Sequence, residues 1–300
     1  MEIFTIRHGA WRAEICPARG ANCISLRHVP TGARLLREPQ YTPGEHPFLF
    51  GMPLLFPVNR ISGGRFHFEG REYRFPVNEP NTGCHLHGGL HDRPFAVISQ
   101  SEDALSCVCR VEATEDFPHA FEITVSYRLD EQGLTQSVRL VNCSAQAMPC
   151  LLGFHTTFAI PFIPGGEVRV AAQIGEEYER DGRYLPTGIR LTADEVTGQL
   201  LSGTFDPLSR PVSRHCRAAG EGRMTLTDLR HGVRVVYEND KKYAFRLIYN
   251  GEADGFICLE PQNCLVDAPN NVFGRTYSGF DAIAPGDMRE YRSRIYMESV

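Results

Sequence analysis

Hydrophobic and polar residues alternate with a period of two along several segments of the chain. The turn sequence at 130–133 ends in Gly133 and connects two such segments, 121–129 and 134–141. Because successive side chains of a strand point to opposite faces, the pattern predicts two antiparallel strands, each with one buried face, joined as a hairpin. In the first strand the apolar positions are Phe121, Ile123, Val125, Tyr127 and Leu129.

The same alternation recurs along most of the chain and predicts an all-β fold. A second hairpin is expected around Glu69 and Gly70, and helical patterns are weak, with one or two turns expected at 176–181 and at 267–273. No repeat or linker-like segment divides the chain, so we expect one large antiparallel β-sandwich domain spanning residues 1–300. Further strands are predicted at 225–227, 233–237, 243–249, 255–260 and 289–297.

Composition agrees with this fold and excludes several classes of function. The 28 Gly and 20 Pro residues are spread along the chain, as the turns between many short strands require. The 31 Lys and Arg against 36 Asp and Glu give a net charge of −5, which argues against a nucleic-acid or anionic-membrane partner. The uncharged stretch of most interest as a membrane span, 47–58, is too short to span a bilayer and contains two prolines in its interior.

The amino terminus and the cysteines bear on location. The first residues lack a basic patch followed by an apolar core, so no signal peptide is expected. The ten cysteines form no C-x-x-C pair, which disfavours a zinc ribbon or a thioredoxin-like site. We therefore expect a cytoplasmic protein with reduced thiols.

The densest group of candidate functional residues lies at 81–91. In a strand, His85 and His87 would share one face, and Gly88 and Gly89 would allow a sharp turn. An H-x-H pair is typical of a cupin-like metal site, which also needs a carboxylate and a third histidine. Here Asp92 is the only carboxylate that follows closely, and no third ligand is evident. Three interpretations stay open: a metal site, a structural pair of histidines, and a substrate-binding or catalytic site.

Three further residues are ambiguous when each is considered alone. His155 lies in an apolar segment, where a histidine is usually a hydrogen-bonded part of the core. Glu260 ends the apolar run 256–259, where a charge is costly unless it has partners or a function. Arg60 is either a surface residue or a planar set of donors suited to sugar hydroxyls or a carboxylate.

Taken in order, these elements resemble the aldose 1-epimerase (galactose mutarotase) family. The resemblance covers nearly the whole chain and is carried by NRISGGRFHFEGREYRF at 59–75, HLHGG at 85–89, GFHTTF at 153–158 and LEPQNCLVDAPN at 259–270. It implies a large galactose mutarotase-like antiparallel β-supersandwich with a sugar cleft on one face. It also implies an isomerase that interconverts the α and β anomers of an aldose without a metal or other cofactor.

The resemblance also implies roles for single residues. His155 is expected to be the general acid and Glu260 the general base, while His87 and Arg60 are expected to bind the sugar. The family's hydroxyl-binding aspartate is best matched by Asp206. The chain departs from the family pattern in having Phe95 where a Trp is common and Thr-Thr-Phe-Ala after His155, which affects the choice of substrate more than the chemistry.

Anomer exchange explains why an acid and a base are needed. One group takes the proton of the C1 hydroxyl, and another gives a proton to the ring oxygen. At neutral pH this assignment requires a raised pKa for His155, which a nearby carboxylate would provide. The partner is expected to be a small sugar, a hexose such as galactose or glucose, bound by a monomer or homodimer. The alternatives are a hexose-6-phosphate mutarotase, a non-catalytic carbohydrate-binding protein on the same fold, and the metal site.

Overall fold

The computed structural model describes residues 2–40 and 46–300. Within them lie one α-helix, α1 (Glu195–Ser202), and short 3-10 helices at Val29–Thr31, Leu90–Asp92 and Ala268–Asn270. The strands, in chain order, are β1 Phe4–His8, β2 Trp11–Cys16, β3 Asn22–His28, β4 Ala33–Arg34, β5 Leu54–Leu55, β6 Arg60–Ser62, β7 Arg65–Phe68, β8 Arg71–Arg74, β9 Cys84–Leu86, β10 Ala96–Gln100, β11 Ala104–Val111, β12 Phe121–Leu129, β13 Gly133–Asn142, β14 Met148–Cys150, β15 Gly153–Phe154, β16 Thr156–Ala159, β17 Val168–Ala172, β18 Ile174–Arg180, β19 Pro186–Leu191, β20 Ser213–Ala218, β21 Arg223–Asp228, β22 Val233–Asn239, β23 Phe245–Tyr249, β24 Phe256–Gln262, β25 Asp281–Ile283 and β26 Met288–Ser299.

Two large antiparallel sheets make up most of the structure. The first has the strand order β10-β11-β12-β13-β26-β22-β21-β17. The second has the order β19-β18-β20-β23-β24-β15-β5, and β16 also pairs with β24. A four-stranded sheet of β1 to β4 and three two-stranded sheets complete the architecture. The all-β supersandwich predicted from the sequence is confirmed.

The hairpin of β12 and β13 shows why alternation predicted the fold correctly. Val125 pairs with Val138 and Ile123 with Leu140, and all four side chains are buried. The intervening residues of β12 are half-buried or exposed. Each sheet therefore turns one apolar face inward, and the main hydrophobic core draws residues from both ends of the chain.

Strand β24 is buried along its whole length, unlike an ordinary strand of a two-layer sandwich. Ile257 and Leu259 pack into the main core. The alternate residues Cys258 and Glu260 therefore point to the other face of the second sheet. Loops and short strands cover that face and enclose a cavity beside Glu260.

The helical expectations were half right. The turn expected at 267–273 is present as the 3-10 helix Ala268–Asn270, whereas 176–180 of the second expected segment belong to β18, which pairs with β19 and β20. Tyr178 is buried between these neighbours, so tertiary packing outweighs the local sequence pattern. The sequence did not reveal α1, an eight-residue helix that contains Gly198 and is capped by the Asp194 carboxylate.

The cysteines are all free, and nine of the ten are buried, with only Cys143 exposed. They fill core positions as small apolar side chains. None of the helices in the described part of the chain is long and apolar enough to cross a bilayer.

Candidate active site

A cavity of about 450 Å³ opens over the second sheet, next to the buried strand β24. The floor is formed by Leu247 and Tyr249 of β23 together with Glu260 of β24. We call this cavity the cleft. Its remaining lining residues are His46, Leu49, Asn59, Arg60, Glu79, Leu86, His87, His155, Arg180, Tyr184, Pro211, Val212, Ser213, Gly251 and Glu252.

His155 and Glu260 form the centre of the cleft. His155 lies between β15 and β16, which both pair with β24, and this pairing brings it beside Glu260 although the two are 105 positions apart in sequence. The Nε2 atom of His155 is 3.2 Å from Oε1 of Glu260, and both side chains are almost completely buried. The structure therefore brings together the acid and the base that the sequence proposed.

The hydrogen bonds around this pair leave two polar atoms free. Gln262 donates from Nε2 to Oε2 of Glu260 at 3.2 Å, and Asn59 donates to Oε1 of Gln262 at 3.4 Å. Oε1 of Glu260 and Nδ1 of His155 are buried and have no hydrogen-bond partner among the described residues. Buried polar atoms without partners are costly, so these two atoms suit a ligand that enters the cleft.

Burial sets the protonation of the pair, and it does so in the direction opposite to the expectation from the sequence. Burial raises the pKa of Glu260 to about 8, against the lowering effects of the Gln262 hydrogen bond and the Arg180 charge. Burial lowers the pKa of His155 to about 3. At neutral pH the pair therefore holds one proton, and in the empty cleft that proton is on Glu260.

His87 lies in the cleft, but His85 does not. His87 follows β9 with a φ of 63°, so the chain leaves the extended conformation and the two histidines do not share a face. His87 packs against His155 with ring centroids 5.4 Å apart, whereas His85 lines a separate cavity of about 380 Å³. The expected common face is wrong, and an H-x-H metal site would need both rings in one place.

Gly88 explains the change of direction after His87. It has a φ of 64°, and a Cβ atom at this position would lie 1.8 Å from the carbonyl oxygen of Phe56. Only glycine fits such a close approach of two backbones. The first glycine of the HLHGG motif is therefore required for the close approach of the two backbones directly after His87.

Arg60 lines the cleft, but most of its donors are already engaged. Its Nε and Nη2 atoms donate to the two carboxylate oxygens of Glu79, each at 2.7 Å. Its guanidinium also lies over the ring of Tyr184, 4.4 Å from the centroid. Glu79 accepts a further hydrogen bond from Thr82. Arg60 is thus held in one orientation, and its charge is balanced by Glu79. Its Nη1 group remains available to donate to a ligand.

Asp206 is not brought to the cleft. It follows Phe205, which bridges to β17 at the edge of the first sheet. Its carboxylate is 3.7 Å from Arg169 and accepts the backbone N–H of Leu208. The structure thus gives Asp206 a local role at a loop, and the hydroxyl-binding role expected for it has no support from this placement.

Several cleft residues carried no recognisable signal in the sequence. Arg180 ends β18, in the segment expected to be helical, and Ser213 begins β20. Tyr184 and Glu252 come from loops, where no periodic pattern marks a residue as functional. Strand pairing between distant segments brings these side chains together, which a linear pattern cannot show.

One group of donors in the described residues could hold a metal ion. The ligand atoms of His155, Cys258 and Glu260 lie within 4.8 Å of one another. Cys258 is completely buried and hydrogen-bonded to Thr157, and burial raises the pKa of its thiol well above the ordinary value. A ligand role for Cys258 would therefore require its buried, protonated thiol to lose a proton when a metal binds.

Comparison with known proteins gives consistent results. The family model described as Aldose 1-epimerase matches residues 2–279. The Escherichia coli K12 protein YphB, described as uncharacterized, is 24% identical over 298 residues, which is 96% of each chain. Galactose mutarotase of Rattus norvegicus is 32% identical over 174 residues, which is 54% of this chain and 46% of that protein.

Solved structures show the same architecture. A galactose mutarotase-like protein from Clostridium acetobutylicum superposes with a TM-score of 0.93 at 28% identity and covers 99% of this chain and 95% of its own. Galactose 1-epimerase from Lactobacillus acidophilus has a TM-score of 0.73 at 14% identity, covering 99% and 94% of the two chains. The second similarity concerns the fold alone.

Proposed function

The chain belongs to the aldose 1-epimerase family, and from this premise we propose that the cleft interconverts the α and β anomers of an aldose. The observation that carries the proposal is the buried contact of 3.2 Å between Nε2 of His155 and Oε1 of Glu260. Neither Oε1 of Glu260 nor Nδ1 of His155 has a hydrogen-bond partner among the described residues. A pure binding site has no use for a buried acid–base pair of this kind. This favours turnover over a non-catalytic carbohydrate-binding role.

The reaction needs one proton on the pair, which is the number that the pair holds at neutral pH. Transfer of that proton from Glu260 to His155 across the 3.2 Å contact gives a carboxylate and an imidazolium. Glu260 then takes the proton of the C1 hydroxyl while His155 gives its proton to the ring oxygen, and the bond between C1 and the ring oxygen breaks.

The open-chain aldehyde rotates about its C1–C2 bond and closes with the two proton transfers reversed. The other anomer is released and the pair again holds one proton, so no atom or electron is gained or lost. His87, packed against His155, and Arg60, held by Glu79, are proposed to bind the sugar and hold C1 beside the pair.

Polarimetry on freshly dissolved α-glucose and α-galactose tests the proposal. We expect Glu260→Gln and His155→Ala each to lower the catalysed rate at least about a hundredfold, within the range for general acid–base groups. Glu122→Gln and His67→Ala make the same changes on strands outside the cleft and should retain the rate. Near-normal mutarotation by either cleft variant would overturn the assignment.

The location and the assembly of the protein stay predictions from the sequence. We expect a cytoplasmic monomer or homodimer that binds a small sugar and neither nucleic acid nor membrane. Cell fractionation and light scattering of the purified protein would test these expectations.

A further inference from the structure

We propose that the cleft accepts an aldose with a single negative charge on C6, a hexuronic acid, and that Arg180 binds its carboxylate. The inference rests on the proposed anomer exchange and names the class of substrate for it. One feature of the cleft supports it. Arg180 carries a positive charge, and no carboxylate in the described part of the chain pairs with it.

Arg180 is held in place but is only partly satisfied. Its Nη2 atom donates to the backbone oxygen of Ser213 at 2.7 Å and to the Ser213 hydroxyl at 2.9 Å. Within residues 2–40 and 46–300, no carboxylate lies within ion-pair distance of its guanidinium. The Nε and Nη1 donors therefore remain available on a side chain that lines the cleft.

Inside the cleft, away from its exposed rim, the other charges are balanced or absent. Arg60 is neutralised by Glu79 through two hydrogen bonds. Glu260 holds a proton at neutral pH, and burial lowers the pKa values of His46, His87 and His155, so these rings are neutral. Glu252 lies at the exposed rim of the cleft and has no ion-pair partner among the described residues. One uncompensated positive charge is left in the interior, on Arg180.

This single charge matches a carboxylate better than a phosphate. A hexuronate carries one negative charge at neutral pH, whereas a phosphate monoester carries nearly two. The free Nη1 group of the guanidinium can also donate a charge-assisted hydrogen bond to a carboxylate oxygen. An uncompensated buried charge is costly, and a ligand that supplies one opposite charge removes that cost.

The position of Arg180 suits a group at C6. Strands β18 and β24 are separated by β20 and β23, which places their backbones about 14 Å apart at the usual spacing of strands. Arg180 and Glu260 both line the cleft, and the Arg180 charge acts on Glu260. In a pyranose, C6 is attached through C5 to the ring oxygen on which the catalytic pair acts, so a C6 carboxylate lies within this span.

Proton NMR of anomer exchange tests the inference directly. Rates would be measured for glucuronate and galacturonate, for glucose and galactose, and for the two hexose 6-phosphates, each corrected for the uncatalysed exchange in buffer. For the unmodified protein we expect kcat/KM on a uronate to exceed that on its neutral parent at least about tenfold, the lower end for a hydrogen bond to a charged group.

Variants separate a role in binding the carboxylate from a structural role. Arg180→Gln should lower kcat/KM on uronates about ten- to a hundredfold more than on neutral hexoses. A smaller loss on neutral hexoses is expected as well, because the Arg180 charge acts on Glu260. Arg180→Lys should recover part of the uronate rate, because it keeps the charge and loses the planar set of donors. Arg190→Gln is the matched control, since it removes a half-exposed positive charge of the same sheet that does not line the cleft.

The outcomes distinguish the inference from the proposed function. Equal losses on uronates and neutral hexoses in Arg180→Gln, or a preference for the 6-phosphates, would overturn the inference and leave anomer exchange intact. Uronate binding by calorimetry without any accelerated exchange would overturn the proposed function and retain Arg180 as a carboxylate site. An increased uronate preference in Glu45→Gln, a residue outside the described ranges, would show that the chain supplies its own counter-charge and would overturn the inference.

Discussion

Replacing Glu260 by Gln should make the protein more stable above pH 5 while it abolishes mutarotation. An ordinary glutamate has a pKa of about 4.3, whereas burial raises the pKa of Glu260 to about 8. Between these two pH values the folded protein keeps a proton that the unfolded chain has released. The free energy of unfolding therefore decreases as the pH rises through this window, and the loss is complete above pH 8.

The size of the effect follows from the width of the window. Between three and four pH units at about 1.4 kcal/mol each give a loss on the order of 5 kcal/mol at alkaline pH. The Gln variant has no proton to lose at this position. The stability difference between variant and unmodified protein should thus be small at pH 4.5 and should grow to several kcal/mol at pH 9.

His155 does not obscure this comparison. Its pKa is lowered by burial to about 3, so the unfolded chain binds more protons between pH 3 and 6.5, and stability rises with pH in that range. The unmodified protein and the Gln variant share this contribution, which cancels in their difference. The difference in unfolding free energy therefore reports on Glu260.

Urea unfolding at pH values from 4.5 to 9 provides the measurement. Trp11 is the only tryptophan and is buried, so its fluorescence follows the transition. Glu177→Gln is the control with the opposite sign, because Glu177 is a buried carboxylate paired with Arg214 at 2.6 Å, and its loss should destabilise the protein. A difference between Glu260→Gln and the unmodified protein that does not vary with pH would refute the reasoning.

Three further predictions concern the cleft and its surroundings. The kcat/KM of mutarotation should fall above about pH 8 and below about pH 3, because the pair then loses its single proton or gains a second; a profile that is flat from pH 7 to 10 would contradict this. Gly88→Ala should unfold the protein at a lower urea concentration and reduce activity, since its Cβ would meet Phe56, whereas Gly89→Ala has open space and should be tolerated; equal effects would contradict the role of Gly88. Asp206→Ala should keep the activity within about twofold and change stability by less than about 1 kcal/mol, as expected for an exposed ion pair; a large loss of activity would restore its expected role.

The strands were predictable because their signals are local, whereas the candidate acid and base were singled out mainly by the family resemblance. A period of two marks a strand with one buried face, and the hairpin of β12 and β13 appears where the alternation placed it. Glu260 stood out as a carboxylate at the end of an apolar run, and such a residue is retained only with partners or a function. The motif around His155 became informative only through its resemblance to the family.

The errors arose where distant segments meet. The segment 176–181 has a weak helical pattern, but 176–180 form part of β18 because strands on both sides provide hydrogen bonds. His85 and His87 were expected on one face, yet the positive φ of His87 separates them. Asp206 was assigned by its position in a loose alignment, and its loop folds against β17 instead.

By itself the sequence determined the all-β class and most of the strands, because each depends on neighbours along the chain. The family resemblance singled out His155 and Glu260 as the candidate acid and base. The tertiary structure alone decided the protonation of that pair, the pairing of Arg60 with Glu79, and the presence of Arg180 in the cleft. These properties depend on burial and on charges brought together by strand pairing across the second sheet. A pKa or a charge balance is a sum over neighbours in space, which the linear order of residues does not contain.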